Sequence, residues 1–71
     1  MQEITITTQL IQLDQLLKWE GLFETGGQIR PMLDEGLILV NGQKATERRK
    51  KIHPGDMVEI KGVGIWKIIA E

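Results

Sequence analysis

Few side chains in this 71-residue sequence could perform covalent chemistry. Cysteine, serine and tyrosine are absent, so a nucleophile would have to be one of five threonines, with His53 as the single histidine available to activate it. His53 precedes Pro54-Gly55 in a predicted turn, where a solvent-exposed loop residue is the simpler interpretation. The acids show no metal-site spacing, and Gly26-Gly27 fits neither phosphate-binding glycine motif. We therefore predict no catalysis, no cofactor and no metal.

The charged residues favour binding instead. The formal net charge is −1, yet residues 1–35 carry six acids and two bases, whereas residues 36–71 carry seven bases and four acids. Five cations lie within eight residues: Lys44, Arg48, Arg49, Lys50 and Lys51. Because exposed charges are screened over about 8 Å in physiological salt, a phosphate group responds to this local field rather than to the total charge. The alternative is a charge run that only keeps a strand edge soluble and unpaired.

The acids of the N-terminal half are interpreted as solvated faces of helices and strands. They are Glu3, Asp14, Glu20, Glu24, Asp34 and Glu35.

A helix is predicted directly upstream of the basic half. Thr25 and Gln28 have the T-x-x-Q spacing of a capping box, which predicts a helix beginning at Gly26. Its free amides and positive dipole end form a second candidate anion site, with Arg30 nearby. The apolar stripe of this helix is Ile29, Met32 and Leu33. Gly36 supplies the residue that tolerates positive φ at the helix end.

Pro31 is an anomaly within this helix, because proline removes an amide donor and clashes with the carbonyl four residues back. That residue is Gly27, which can tilt its peptide more easily than other residues. We expect a kinked or late-starting helix rather than none.

A hairpin follows the helix. Leu37–Val40 reads as a strand, Asn41-Gly42 as a type I′ turn, and residues 43–45 as the returning strand. Residues 46–51 are too charged for a buried strand and are predicted to form a loop or a twisted edge. The remaining elements are a turn at residues 53–56, a strand at 57–60, a turn at 62–64 and a last strand at 65–70.

The N-terminal part contributes one strand and the first helix. Ile4–Thr7 alternates apolar and polar residues, as a half-buried strand does. The helix carries Leu10, Leu13, Leu16 and Leu17 at helical spacing, with Gly21 as its stop. The fold class is therefore α+β: an N-terminal strand, two packed helices, and a small mostly antiparallel sheet with an Asn-Gly hairpin. We expect a single domain, residues 1–71.

Two tryptophans and one aliphatic pair need packing partners. Trp19 is predicted to close the core as a lid, with stacking on an unpaired base as the alternative. Trp66 is predicted to pack within the last strand. The terminal strands are expected to cover Leu37 and Leu39, in a monomer; a dimer through the Leu37/Leu39 face is the alternative.

The ordered set of motifs resembles the RNA-binding domain of the small-subunit-ribosomal-protein-four type, the S-four domain or αL motif. The matching residues span 13–60 and are Leu13-Asp14-Gln15-Leu16-Leu17, Gly21-Leu22, Thr25-Gly26-Gly27-Gln28-Ile29-Arg30, Glu35-Gly36, Val40-Asn41-Gly42, Lys44, Ile52-His53-Pro54-Gly55-Asp56 and Val58-Glu59-Ile60. Within that family, the length, the Thr25-Gly26-Gly27-Gln28 sequence and the basic run at residues 48–51 look most like the stand-alone bacterial proteins of the YaaA and YbcJ type.

The resemblance implies that the second helix and the following hairpin face structured RNA, with ribosomal RNA as one candidate. Together with the basic run, the implied contact residues are Thr25, Gln28, Arg30, Asn41, Gly42, Lys44, Arg48, Arg49, Lys50 and Lys51. A cytoplasmic, non-catalytic RNA-binding module is the leading hypothesis. The alternatives are a protein-interaction adaptor without direct nucleic-acid binding, and duplex DNA binding.

Overall fold

Seven strands and two helices make up the part of the chain that the computed structural model describes, residues 2–21 and 29–71. In chain order they are β1 (Gln2–Ile6), β2 (Ile11–Gln12), α1 (Leu13–Trp19), α2 (Ile29–Asp34), β3 (Ile38–Val40), β4 (Gln43–Lys44), β5 (Lys51–Ile52), β6 (Met57–Ile60) and β7 (Gly64–Ala70). Within these residues, no helix is long and apolar enough to cross a membrane.

Five of the strands form one sheet in the order β1-β7-β6-β3-β4. Strands β1 and β7 are parallel, with Ile4 opposite Ile68, and the other three pairings are antiparallel. A separate two-stranded ladder pairs β2 with β5. The predicted α+β class with a mostly antiparallel sheet is confirmed.

Alternation along the strands places one face of the sheet in the core. The strand residues buried there are Ile4, Ile6, Ile38, Val40, Val58, Ile60, Trp66 and Ile68, and the helices add Leu13, Leu16, Leu17, Ile29 and Leu33. Trp66 is packed as predicted, and its indole Nε1–H donates to Gln2 Oε1 at 2.8 Å. That hydrogen bond satisfies the polar end of an otherwise apolar side chain.

Helix α1 is shorter than its leucine pattern suggested. Leu10 was expected within the helix but precedes it, because Ile11 and Gln12 are extended and pair with β5. Gly21, with φ of +79°, follows the carboxyl end of the helix as predicted. The prediction that Trp19 closes the core is wrong, since Trp19 is 60% exposed.

Helix α2 ends in a Schellman motif. The Gly36 N–H donates to Leu33 O at 3.0 Å and the Leu37 N–H to Met32 O at 2.9 Å, with Gly36 at φ +70°. The predicted stop is confirmed. The predicted start at Gly26 and its capping box lie outside the described residues.

The Asn41-Gly42 turn has the two positive φ values that a type I′ turn requires, +53° and +81°. It pairs Val40 with Gln43 and Leu39 with Lys44. The terminal strands do not cover Leu39, because β6 lies between them and β3 in the same sheet. Leu39 therefore stays half-buried on the outer face of the sheet.

We expect Gly36→Ala to lower the free energy of unfolding by about 1–2 kcal/mol, the cost of an L side chain in the left-handed region. A Cβ at Gly36 would also lie 3.0 Å from Lys44 Cδ and displace that side chain. Gly42→Ala is the control. It places an L side chain at a similar positive φ, with the same conformational cost, but no atom lies within 4 Å of the added Cβ. Urea denaturation should rank Gly36→Ala as the less stable of the two; wild-type stability in Gly36→Ala would contradict the assigned helix end.

Candidate nucleic-acid interface

The basic segment, Arg48–Lys51, is held between two buried residues. Ala45 is 3% exposed and Ile52 is fully buried, whereas every residue from 46 to 51 is exposed. The chain is therefore tethered to the core at both ends of the loop, and the four cations project between the tethers.

The backbone of the basic segment is fixed to the amino end of α1. The Leu13 N–H donates to Lys50 O and the Asp14 N–H donates to Arg48 O, each at 2.8 Å. The pairing of Gln12 with Lys51 continues this attachment into β2 and β5. The first amides of a helix have no partner within it, so these carbonyls act as its cap.

Sequence reasoning missed this attachment. Gln12 occupies the N-cap position and makes no side-chain capping bond. Glutamine is not among the residues favoured there, so the missing cap was the available signal that another segment must supply the acceptors.

Asp14 belongs to this junction rather than to a solvated helix face. It is 8% exposed, and its Oδ1 accepts a hydrogen bond from the Gln15 N–H at 2.9 Å. The prediction that Asp14 is solvated is wrong, because the basic segment covers the first turn of α1. A carboxylate in a first turn also interacts favourably with the helix dipole.

Lys44 and Lys50 come together at one shallow depression of about 190 Å³, which Ala45, Thr46 and Glu47 also line. The Lys44 side chain lies against Gly36, at the carboxyl end of α2. A cation at that end of a helix interacts favourably with its dipole. Lys44 therefore bridges α2 and the loop that leads to the basic segment.

Arg30 lies on the exposed face of α2, and its Nε is 3.5 Å from Asp34 Oδ1. Both side chains are about two-thirds exposed, 65% and 64%, so the pair contributes little to stability. Thr25 and Gln28, the other two candidate contacts near this helix, lie outside the described residues.

Asn41 is engaged within the protein. Its Oδ1 accepts from the Met57 N–H at 2.9 Å and its Nδ2 donates to Asp56 Oδ1 at 3.0 Å. The other oxygen of Asp56 accepts from the His53 N–H at 2.8 Å. Asn41 therefore joins the hairpin tip to the 53–56 turn, and Gly42 is left exposed beside it.

The pKa of Asp56 reflects these bonds. Partial burial raises it, but the hydrogen bonds from the His53 N–H and Asn41, together with the charges of His53 and Lys50, outweigh burial and leave the pKa below its usual value of 3.8. His53 itself is exposed, as predicted, with its Nδ1 3.8 Å from Asp56 Oδ2.

Within the part of the chain that the structure describes, the cations of the basic segment form no ion pair that would compete with an external anion. Within residues 2–21 and 29–71, the ion pairs are Arg30 with Asp34 and His53 with Asp56. None of these involves residues 48–51. Four exposed positive charges on an anchored backbone form a surface suited to phosphate groups.

The architecture is that of a small α+β domain with an exposed basic loop, and comparison with known families assigns it to a class. The model of the S4 domain matches residues 4–66. The chain belongs to the S4 domain family, which confirms the resemblance noted in the sequence and supports RNA binding.

Its relatives include small bacterial proteins of similar length. RlbA of Bacillus subtilis (strain 168), named a probable ribosome maturation protein, is 36% identical over 66 residues, 93% of each chain. YbcJ of Escherichia coli (strain K12), named as a candidate RNA-binding protein, is 38% identical over 52 residues, 73% of this chain and 74% of YbcJ. Small ribosomal subunit protein uS4 of Kosmotoga olearia is 34% identical over 50 residues, 70% of this chain but 24% of uS4.

The junction of Asn41 and Asp56 predicts a pH dependence of stability. Because the folded-state pKa of Asp56 is lowered, its contribution is present above pH 3.8 and is lost as the pH falls through the folded pKa. Asp56→Asn removes one acceptor and should cost about 1 kcal/mol at pH 7. In urea denaturation, the difference in the free energy of unfolding between wild type and Asp56→Asn should be smaller at pH 3 than at pH 7.

Asp34→Asn is the matched control, since that carboxylate is exposed and its replacement should change stability by no more than about 0.5 kcal/mol. If wild type and Asp56→Asn differ in the free energy of unfolding by the same amount at pH 7 and at pH 3, the Asp56 carboxylate does not stabilise the 53–56 turn.

Proposed function

We propose that this protein is a non-catalytic module that recognises structured RNA through phosphate contacts. The observation that carries the proposal is the basic segment, whose four exposed cations are displayed by a backbone bonded to the amino end of α1. A fixed backbone limits the entropy lost on binding to that of the side chains. Phosphate contacts of this kind position a protein on nucleic acid.

In this proposal, residues 48–51 supply the principal phosphate contacts. Lys44 adds a further cation through the depression that it shares with Lys50. Arg30 extends the contact surface along α2, and Asn41-Gly42 form the hairpin tip. Thr25 and Gln28 are the two further contacts that the family resemblance implies. Because Asn41 uses both side-chain ends internally, its part is to hold that tip in place.

Folded RNA fits this surface better than duplex DNA. A major-groove reader inserts a helix whose exposed side contacts base edges. The exposed side of α2 ends in Asp34, and the exposed Glu35 follows directly; both carboxylates would repel phosphate groups. Structured RNA is recognised mainly by shape, phosphate and ribose contacts, which an exposed basic loop can supply.

Ribosomal RNA is the partner that we propose within this class. One relative is named for ribosome maturation and another is a component of the small ribosomal subunit. These names describe the two relatives. For this chain, the proposal of a ribosomal RNA partner rests on the shared family and on the basic surface.

The salt dependence of binding tests the proposal. Four to six phosphate contacts predict that log K for a structured RNA hairpin falls against log salt with a slope of about −3 to −5. Replacing Arg48, Arg49, Lys50 and Lys51 with glutamine should remove most binding and make the slope shallower by about 3. The fold should persist, because the anchoring bonds use backbone atoms.

A charge-matched pair of variants controls for net charge. Arg48→Gln/Arg49→Gln and Lys61→Gln/Lys67→Gln each remove two exposed cations. Lys61 lies in the turn after β6 and Lys67 lies in β7, so both are outside the basic segment. Only the first pair should weaken binding and flatten the slope in fluorescence anisotropy. Equal effects of the two pairs would mean that net charge, and not this surface, attracts the RNA.

A protein-interaction adaptor is the second candidate. Met57 and Ile65, both 41% exposed, lie with half-buried Leu39 on the outer face of the sheet. An adaptor would show a partner that remains bound after nuclease treatment, or concentration-dependent sedimentation of the protein alone, together with a flat salt dependence toward RNA.

A further inference from the structure

The outward face of α1 carries three side chains that the core does not use. Gln15, Lys18 and Trp19 are exposed and fall at i, i+3 and i+4, so they share one side of the helix. The opposite side is filled by three leucines that are at most 1% exposed: Leu13, Leu16 and Leu17.

Trp19 differs from the other exposed apolar residues. Among the described residues the large exposed ones are Leu10, Trp19, Met57, Val63 and Ile65, and Trp19 alone has an aromatic face. The second tryptophan, Trp66, is 4% exposed and bonded through its indole nitrogen. The Trp66 indole therefore packs in the core, whereas the Trp19 indole is exposed to solvent.

The position of Trp19 relates it to the basic segment. The first amides of α1 hold the carbonyls of Arg48 and Lys50, and Trp19 is the last residue of the same helix. At 1.5 Å per residue, Leu13 and Trp19 are about 9 Å apart along the axis, the rise of roughly three base pairs. A nucleic acid seated on the basic segment can reach Trp19 within a few nucleotides.

We propose that Trp19 stacks on an unpaired base of the bound RNA. This inference rests on the proposed function and adds to it a preference for RNA with a nucleotide bulged out of a helical stem. Lys18, adjacent and exposed, meets a phosphate group of that nucleotide, and Gln15 lies one turn away on the same face. Sequence-specific RNA binding commonly uses bases that are splayed out and stacked on aromatic side chains.

The test uses two RNA hairpins that differ only in one bulged adenosine. Both hairpins share the same loop, so wild-type protein should bind the bulged hairpin more tightly than the paired hairpin, whose stem is uninterrupted. Trp19→Ala should weaken binding to the bulged hairpin about five- to a hundredfold and leave binding to the paired hairpin nearly unchanged. Its salt slope should equal that of wild type, because stacking releases no counterions.

Two further variants sharpen the comparison. Trp19→Phe keeps an aromatic face and should retain most of the preference for the bulge. Val63→Ala truncates an apolar side chain that is 59% exposed, close to the 60% of Trp19. It should change the affinity for neither the bulged nor the paired hairpin. Thermal melts of all three should match wild type, since neither position is in the core.

The two indole N–H resonances give a second readout. The Trp19 signal, identified by its loss in Trp19→Phe, should shift with the bulged hairpin, while the Trp66 signal serves as an internal reference.

Equal affinity of Trp19→Ala and wild type for the bulged hairpin, with a steep salt slope in both, would overturn the stacking proposal and leave the proposed function standing. Loss of binding to both hairpins in equal measure would also overturn it. Absence of wild-type binding to either hairpin would overturn the proposed function and the stacking proposal together. Self-association that Trp19→Ala abolishes would assign the indole to a protein contact instead.

Discussion

The basic surface depends on two hydrogen bonds, from the amides of Leu13 and Asp14 to the carbonyls of Lys50 and Arg48. They satisfy donors that a helix cannot pair internally and fix a loop whose like charges would otherwise favour an extended, mobile chain. The helix lacks a side-chain cap, and the loop lacks a buried side chain of its own between residues 46 and 51. Each segment therefore depends on the other, and the cations gain a defined position as a result.

The sheet supplies the frame for this junction. Ile52, the residue after the basic segment, is buried in the core. Ala45, which follows the returning strand of the Asn41-Gly42 hairpin, is buried as well. The hairpin is in turn bonded through Asn41 to the 53–56 turn. Turn, loop and helix start are thus held by the backbone and by short polar side chains, which leaves the long cationic side chains available for a ligand.

Local signals in the sequence predicted much of this fold. Positive φ at Gly36 and at Asn41-Gly42 follows from residue type, and the predicted turns at residues 53–56 and 62–64 located β6 and β7. The predictions that were wrong are those in which contacts with a segment distant in sequence overrode the local pattern. Leu10 fits a helical pattern but precedes a short strand that pairs with residues 51–52, and Asp14 is buried by a segment more than 30 residues away. Trp19 failed as a core lid because three leucines already fill that side of α1. The four cations of residues 48–51 were identifiable from composition, but their attachment to α1 was not.

An amide chemical-shift titration tests the central claim most directly, with the isotopically labelled protein, a structured RNA hairpin and a matched DNA duplex. The account predicts that amides of residues 48–51 shift, and that Leu13 and Asp14 shift with them, because their N–H groups donate to the carbonyls of the basic segment. The shifts should be larger with RNA than with DNA. Unchanged amides at all of these positions, with either nucleic acid, would contradict it and would make the cations a solvated edge.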